Sequence, residues 1–176
     1  YPAAIRAAQN GLNAACIDEW QNHDGSRAFG GTCLNAGCIP LKALLESSEL
    51  YHRAASEFGR HGINVTNLDM DIAVMQSRKA GIVKQLTNGI AALFKANGVT
   101  AIHGYGKLLT EHHVEVTLVA GGQTPDILSS RHVVIATGSE PMSLPGLPFD
   151  GEHIIDSSAA LSLPSVPKVL GVIGAG

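Results

Sequence analysis

Two cysteines, Cys33 and Cys38, stand five residues apart in Gly30-Gly31-Thr32-Cys33-Leu34-Asn35-Ala36-Gly37-Cys38-Ile39-Pro40-Leu41-Lys42-Ala43-Leu44-Leu45. The spacing is awkward. On a straight α-helix their Cα atoms would lie roughly 8–9 Å apart, with side chains about 140° from one another. A disulfide requires Cα atoms within about 7 Å. The pair can bridge only where the first turn is irregular, and the residues between supply the irregularity. Gly37 admits dihedrals that other residues avoid. Pro40 has no N–H and removes one hydrogen bond from the turn. The expectation is a strained, accessible disulfide at a helix N-terminus, where the helix dipole favours a thiolate once the bridge is reduced. Those are properties of a redox-active pair. A structural disulfide is the first alternative, but the chain has only three cysteines and no secreted disulfide framework. Half a zinc site is the second, but the further pair of ligands that such a site needs does not follow.

The bulk numbers narrow the field. With 176 residues, 45% apolar and 15% charged, the chain reads as globular, in one or two domains. A net charge of −3 gives no nucleic-acid footprint. No apolar run reaches the roughly 18 residues of a membrane helix. The eight histidines form no metal-like pair at helical spacing, so no metal is expected. An odd number of cysteines suits a reducing cytoplasm. The chain opens without an initiator Met and closes on a strand-to-glycine turn, so it reads as an internal piece of a longer protein.

Taken in order, the pattern is α/β. Pro2 to Gln9 reads as a helix, stopped by Gly11. Ala14 to Ile17 reads as a short buried strand ending at Asp18. Helix, strand and acidic residue form the back half of a dinucleotide-binding βαβ unit. Gln21 to Phe29 is expected to be a surface loop. Gly30-Gly31 lets the backbone approach something closely. One helix is expected from Cys33 to about Phe58. A second starts near Asp69 or Asp71 and ends at Asn97-Gly98, with Ile72, Met75, Val83, Leu86, Ile90, Leu93 and Phe94 on one apolar face. Val99 to Ile102 reads as a strand, and His113 to Val119 alternates as a half-buried strand does. A Gly121-Gly122 hairpin turn follows, and then strands at 126–128 and 133–136. The last of these runs into Thr137-Gly138-Ser139, at the carboxyl end where open α/β sheets bind ligands. Pro141 to Pro148 is a proline-rich crossing, Ser157 to Leu161 a helical turn and Pro164 to Pro167 a linker. Lys168 to Ile173 is expected to be a strand entering Gly174-Ala175-Gly176.

The cysteine stretch resembles the redox-active motif of the pyridine nucleotide-disulfide oxidoreductases. Members that reduce glutathione disulfide or mercuric ion typically carry valines at Leu34 and Ile39. The wording here is similar to members that oxidise dihydrolipoyl groups. Leu41 departs from the usual serine before the lysine. The resemblance covers essentially the whole chain. It implies an FAD-binding Rossmann-like domain over 1–141, lacking its first strand and glycine loop and carrying an inserted antiparallel β-meander. A linker or crossing segment over 142–167 and the start of a NAD-binding Rossmann-like domain over 168–176 would follow.

By the same resemblance, Cys33 is the interchange thiol and Cys38 lies against the flavin. Gly30, Gly31, Thr32 and Cys33 border the flavin. Lys42 pairs with a carboxylate beside it. Asp18 binds the adenosine ribose, and the Gly106 backbone meets the adenine end. Thr137, Gly138 and Ser139 close the FAD site. Gly174, Ala175 and Gly176 open the NAD site. The implied reaction passes electrons from a protein-bound dihydrolipoyl group through the disulfide and FAD to NAD⁺. The implied partners are the lipoyl domain of a 2-oxo acid dehydrogenase complex and a second subunit in a homodimer. The family's essential His–Glu pair would lie beyond this chain, which is expected to bind FAD weakly and to be inactive by itself. The remaining readings are a mercuric- or glutathione-type reductase and a non-enzymatic FAD-binding redox module.

Overall fold

The computed structural model describes residues 1–22, 25–119 and 126–174. Helix α1 (Pro2–Gln9) ends in a glycine turn. Gly11, at φ 80°, donates to the Ala8 carbonyl, and the Leu12 N–H donates to the Ala7 carbonyl. That pattern satisfies two of the carbonyls a helix end leaves open. Strand β1 (Ala15–Asp18) follows directly, as expected.

The expected single helix after the loop is two. Helix α2 (Gly31–Ala36) and helix α3 (Cys38–Ser56) are separated by Gly37, and a short 3₁₀ turn at Phe58–His61 follows α3. The break has a steric cause. A Cβ on Gly37 would stand 3.0 Å from the Thr32 carbonyl oxygen and 3.1 Å from the Cys33 Cα, tighter than most side chains stand, and would push both back by a few tenths of an ångström. Helix α4 (Ile72–Asn97) starts at Asp71, whose Oδ1 accepts the Val74 N–H at 3.1 Å, and stops at left-handed Gly98. Both ends are those the caps in the sequence indicate.

Strand β2 (Thr100–Thr110) is longer than the expected Val99–Ile102, because it has two successive partners. Thr100 to His103 pair in parallel with β1, and Gly104 to Thr110 pair antiparallel with β3 (His113–Leu118). Gly104 permits the close pairing: a Cβ there would meet the Thr117 carbonyl oxygen at 2.7 Å. Strand β4 (Asp126–Ser129) completes a sheet of order β1-β2-β3-β4. This is the expected meander. The Gly121-Gly122 turn lies outside the described residues. The last helix, α5 (Ser157–Ala160), is capped by Asp156. Lys79 on α4 donates to the Leu161 carbonyl at 2.6 Å and Gln76 to the Leu163 carbonyl at 3.1 Å, which ties this segment to α4.

Two expected strands do not form. Val133–Ala136 and Lys168–Ile173 are irregular and exposed, with Val134 at 72% and Val169 at 89% of full exposure. A strand is held by a hydrogen-bonded neighbour, and no described strand lies beside either segment.

Phe29, Leu34, Ile90, Phe94 and Val99 form the core, with Ile5, Cys16 and Ile39 packed against it. The expected surface loop therefore ends inside the protein, since Ala28 and Phe29 are both buried. The apolar face of α4 is narrower than expected. Thr87, Ile90 and Phe94 are buried, whereas Leu86 and Leu93 are 40% and 48% exposed. Phe94 is the most buried of these side chains and stands edge-on to Phe29, with ring centroids 5.0 Å apart. Phe94→Ala is expected to cost about 3–5 kcal/mol, and Leu93→Ala on the same helix less than about 1 kcal/mol. Equilibrium urea unfolding measures both, and equal losses would refute this placement of the core.

Candidate functional site

The buried Ala28-Phe29 pair fixes where the chain enters α2. Gly30 and Gly31 then take φ of 146° and 67°, a turn that side chains with a Cβ resist. At Gly30 a Cβ would also strike Leu34 Cδ2 at 2.9 Å. Glycine there lets Leu34 tuck under the first turn and into the core. Leu34 on α2 and Ile39 on α3 both reach the same cluster. Pro40, almost fully buried, sits in the first turn of α3, where a missing N–H costs nothing.

With their neighbours anchored inward, Cys33 and Cys38 both face outward. The structure brings the two sulfurs into contact as thiols, the reduced form of the expected redox pair. The Gly37 break brings together two sulfurs that a straight helix would point apart. The pKa of Cys33 is raised from the ordinary 9.0, and the largest cause is its hydrogen bond with the Cys38 thiol. Burial and the Cys38 charge act in the same direction. The Cys38 backbone N–H, donating to the Cys33 sulfur, and the Lys42 ammonium act in the other. The expected stabilisation of a Cys33 thiolate by the helix terminus is therefore outweighed in the reduced pair by a second sulfur competing for the same proton. Lys42 is exposed, in the first turn and a half of α3, and its charge reaches Cys33.

Other expected site residues fall in two groups. Gly138, at φ 79°, lies beside the start of α2: a Cβ on it would stand 3.5 Å from Thr32 Oγ1. The 137–139 segment therefore approaches α2 at Thr32, although the strand expected to deliver it does not form; Thr137 and Ser139 are exposed. Asp18 and Gly106 belong instead to the sheet. Asp18 ends β1 and accepts the Trp20 N–H at 3.0 Å. Gly106 lies in β2, where a Cβ would touch Ile17 at 3.5 Å. Among the described residues no hydrogen bond or ion pair joins either to the cysteines. Gly174, at φ 94°, lies in an exposed irregular segment, and Ala175 and Gly176 lie outside the described residues.

The sequence reading passed over Asn35. Its Nδ2 donates to the Gly31 carbonyl at 3.2 Å and braces α2, while its Oδ1 is buried with no partner. A buried acceptor without a donor carries a penalty of about 1–3 kcal/mol, so a donor from a bound group belongs there. The only signal in the sequence was an amide between the two cysteines. This orphaned oxygen, together with the glycine-lined approach at Gly30, Gly31 and Gly138, fits a large polar cofactor such as a flavin nucleotide.

The chain matches, over residues 1–176, the family described as "Pyridine nucleotide-disulphide oxidoreductase". It is 48% identical over its full length to the mitochondrial dihydrolipoyl dehydrogenase 1 of Arabidopsis thaliana, of which it covers 33%. It is 44% identical to the dihydrolipoyl dehydrogenase of Cupriavidus necator, covering 37% of it. The chain thus spans about a third of the length of these relatives. Among solved structures it resembles LpdA of Mycobacterium tuberculosis, with a TM-score of 0.78 at 21% identity, over 94% of this chain and 34% of that one. That likeness shows the same fold.

Two outcomes are expected. With the pair reduced, the pH midpoint for Cys33 alkylation by iodoacetamide should lie above that of an ordinary thiol and fall in Cys38→Ser, which removes the competing sulfur. Peptide mass spectrometry reads the rate, and an unchanged midpoint would contradict the assignment. Gly37→Ala, which forces Thr32 and Cys33 to move, should weaken disulfide closure by about tenfold, the equivalent of about 1.4 kcal/mol of strain. Glutathione redox titration measures it.

Proposed function

Because the chain belongs to the pyridine nucleotide-disulphide oxidoreductase family, we propose that it carries the redox-dithiol portion of a flavin enzyme that oxidises protein-bound dihydrolipoyl groups with NAD⁺. The observation that carries this reading is the Cys33–Cys38 contact across Gly37. The relatives named dihydrolipoyl dehydrogenase, at 44–48% identity, support the choice of substrate.

The chemistry of the pair follows from exchange. Starting from the disulfide form, a dihydrolipoyl thiolate attacks the Cys33 sulfur. A mixed disulfide forms, and Cys38 leaves as a thiolate. The second dihydrolipoyl thiol, losing its proton, then attacks the lipoyl sulfur of that mixed disulfide and displaces Cys33. The products are the cyclic lipoyl disulfide and the Cys33/Cys38 dithiol. Two electrons have moved from the lipoyl group to the pair, and the two departing cysteine thiolates take up protons from solvent in place of those the lipoyl thiols lost to it. Bound FAD supplies a two-electron acceptor for that dithiol and a route onward to NAD⁺. Both sulfurs are exposed, and the family resemblance assigns the outer, interchange role to Cys33 and the inner, flavin-side role to Cys38.

Asn35 Oδ1, Gly30, Gly31, Thr32 and the Gly138 turn are the residues we assign to holding the flavin. Lys42 adds positive charge on the face it shares with Cys38. Asp18 and the Gly106 backbone are assigned to the adenosine end, Thr137 and Ser139 to the edge of the flavin site, and Gly174, Ala175 and Gly176 to NAD. The partners proposed are the lipoyl domain of a 2-oxo acid dehydrogenase complex and a second copy of the protein in a homodimer. The domain boundaries proposed are 1–141, 142–167 and 168–176, and the compartment proposed is the cytoplasm. No helix among the described residues is long and apolar enough to cross a membrane.

The two sulfurs should be separable by trapping. In the intact protein, Cys38→Ser incubated with oxidised lipoamide should hold one lipoamide on Cys33 as a mixed disulfide, visible as added mass removed by dithiothreitol. Cys33→Ser should hold at least tenfold less. Equal capture by both variants, or by neither, would sink the assignment of roles.

A further inference from the structure

Two neighbouring residues on α4 reach in different directions. Successive helix positions are about 100° apart, so each serves its own neighbour. Arg78 Nη1 donates to the Ala43 carbonyl at 2.9 Å, on the helix that begins with Cys38. Lys79 Nζ donates to the Leu161 carbonyl at 2.6 Å and to Ser162 Oγ at 3.4 Å. Almost one turn earlier, on the Lys79 side, Gln76 Nε2 donates to the Leu163 carbonyl at 3.1 Å. Helix α4 thus holds the redox helix on one side and the 161–163 segment on the other.

The segment it holds is not a loose crossing. The Asp150 carboxylate accepts the N–H groups of Glu152, His153 and Ile154, each at 2.8 Å. Asp156 caps α5. Residues 150–163 therefore form a strap with internal order, and Gln76 and Lys79 fasten its far end. Beyond Leu163 every described residue, from Pro164 to Gly174, is exposed. Only Pro164-Ser165-Val166-Pro167 separates the fastening from the segment 168–176 assigned to NAD. Four residues reach at most about 14 Å, and the two prolines stiffen them. The point at which the strap is held therefore decides where the 168–176 segment starts.

Lys79 puts a charge where a neutral side chain would pack with less penalty. Burial lowers its pKa, and among the described residues it has no ion-pair partner. A cation drawn partly out of water needs compensating hydrogen bonds, and the strap supplies them. The short Leu161 contact is that of a charged donor.

We propose that Lys79 is a positioning residue for electron transfer to NAD⁺: it fixes the strap, and through it the NAD-binding portion, relative to the redox helix that Arg78 holds. This rests on the reading of the protein as a flavin- and NAD-dependent enzyme. The step concerned moves a hydride, two electrons and a proton, between nicotinamide and flavin. Lys79 contributes placement alone.

Rapid mixing of the intact, flavin-loaded protein without oxygen tests this, with NADH or dihydrolipoamide as reductant and flavin absorbance as readout. Lys79→Met keeps the stem and removes the donor. It should slow reduction by NADH at least tenfold, since a displacement of about 1 Å can cost about 100-fold, and leave reduction by dihydrolipoamide within about twofold of wild type. Lys79→Arg, which keeps a charged donor, should recover most of the loss. Gln76→Leu should slow the same step to a smaller extent. Lys84→Gln, an exposed lysine on the same helix, should change neither rate. Amide hydrogen exchange gives a readout separate from electron transfer: in Lys79→Met the amides of 159–163 should exchange at least tenfold faster, while those of α3 keep their protection. The proposal fails if Lys79→Met matches wild type with NADH, if both reductants slow equally, or if exchange in the strap is unchanged. A wild-type protein reduced by NADH but not by dihydrolipoamide would overturn the dihydrolipoyl reading instead, and the NADH comparison would still decide the role of Lys79.

Discussion

Leu34 and Ile39 hold the rest of the structure in place. Each stands next to a cysteine in sequence, and each goes down into the cluster built on Phe29, Phe94, Ile90 and Val99. On a continuous helix two residues five apart could not share one inward direction. They do so because Gly37 interrupts the helix and lets α2 and α3 each start afresh. Once both are pinned, Cys33 and Cys38 have one direction left, outward, and they meet there. The position of the thiols is thus a consequence of core packing, with stabilisation of about 1.5–3 kcal/mol for each buried aliphatic side chain.

The same anchoring explains how much of the molecule could be read from its sequence. Elements that carry their own local signals came through. The Gly11 stop, the Asp71 cap, the Gly98 stop and the alternation in His113–Leu118 need only a few neighbouring residues to act. The outward pairing of the cysteines was legible too, because it follows from a five-residue spacing and a glycine. What failed depended on partners distant in sequence. Val133–Ala136 has the composition of a buried strand, but a strand exists only with a ladder beside it. The reverse error occurred at His103–Thr110. The strand expected there stopped at Ile102, yet β2 runs on, and Gly104 allows it to pair closely with β3.

Phe29 shows the limit of composition most clearly. It ends a polar, turn-rich stretch and reads as loop, yet it is buried and touches Phe94 on one side and His103 on the other. It therefore carries two structures at once. Towards the chain's next residues it fixes the glycine turn into α2. Towards the sheet it packs on the His103 ring, 4.3 Å away. The polar residues before it gave no hint of either.

The state of the thiols bears on the rate of exchange. Exchange needs a thiolate, and Cys33 in the reduced pair holds its proton more firmly than a free cysteine. A protonated thiol is a poor nucleophile, so the same contact that joins the two sulfurs slows attack by Cys33 on an outside disulfide. The groups acting on Cys33 are Cys38, its backbone N–H and Lys42. When the Cys33–Cys38 disulfide closes, Cys33 has no proton left to hold, so this effect belongs to the reduced pair alone. Oxidation state and proton affinity are therefore linked through one short contact. That contact exists because a glycine, where a side chain would crowd Thr32 and Cys33, was left between the two cysteines.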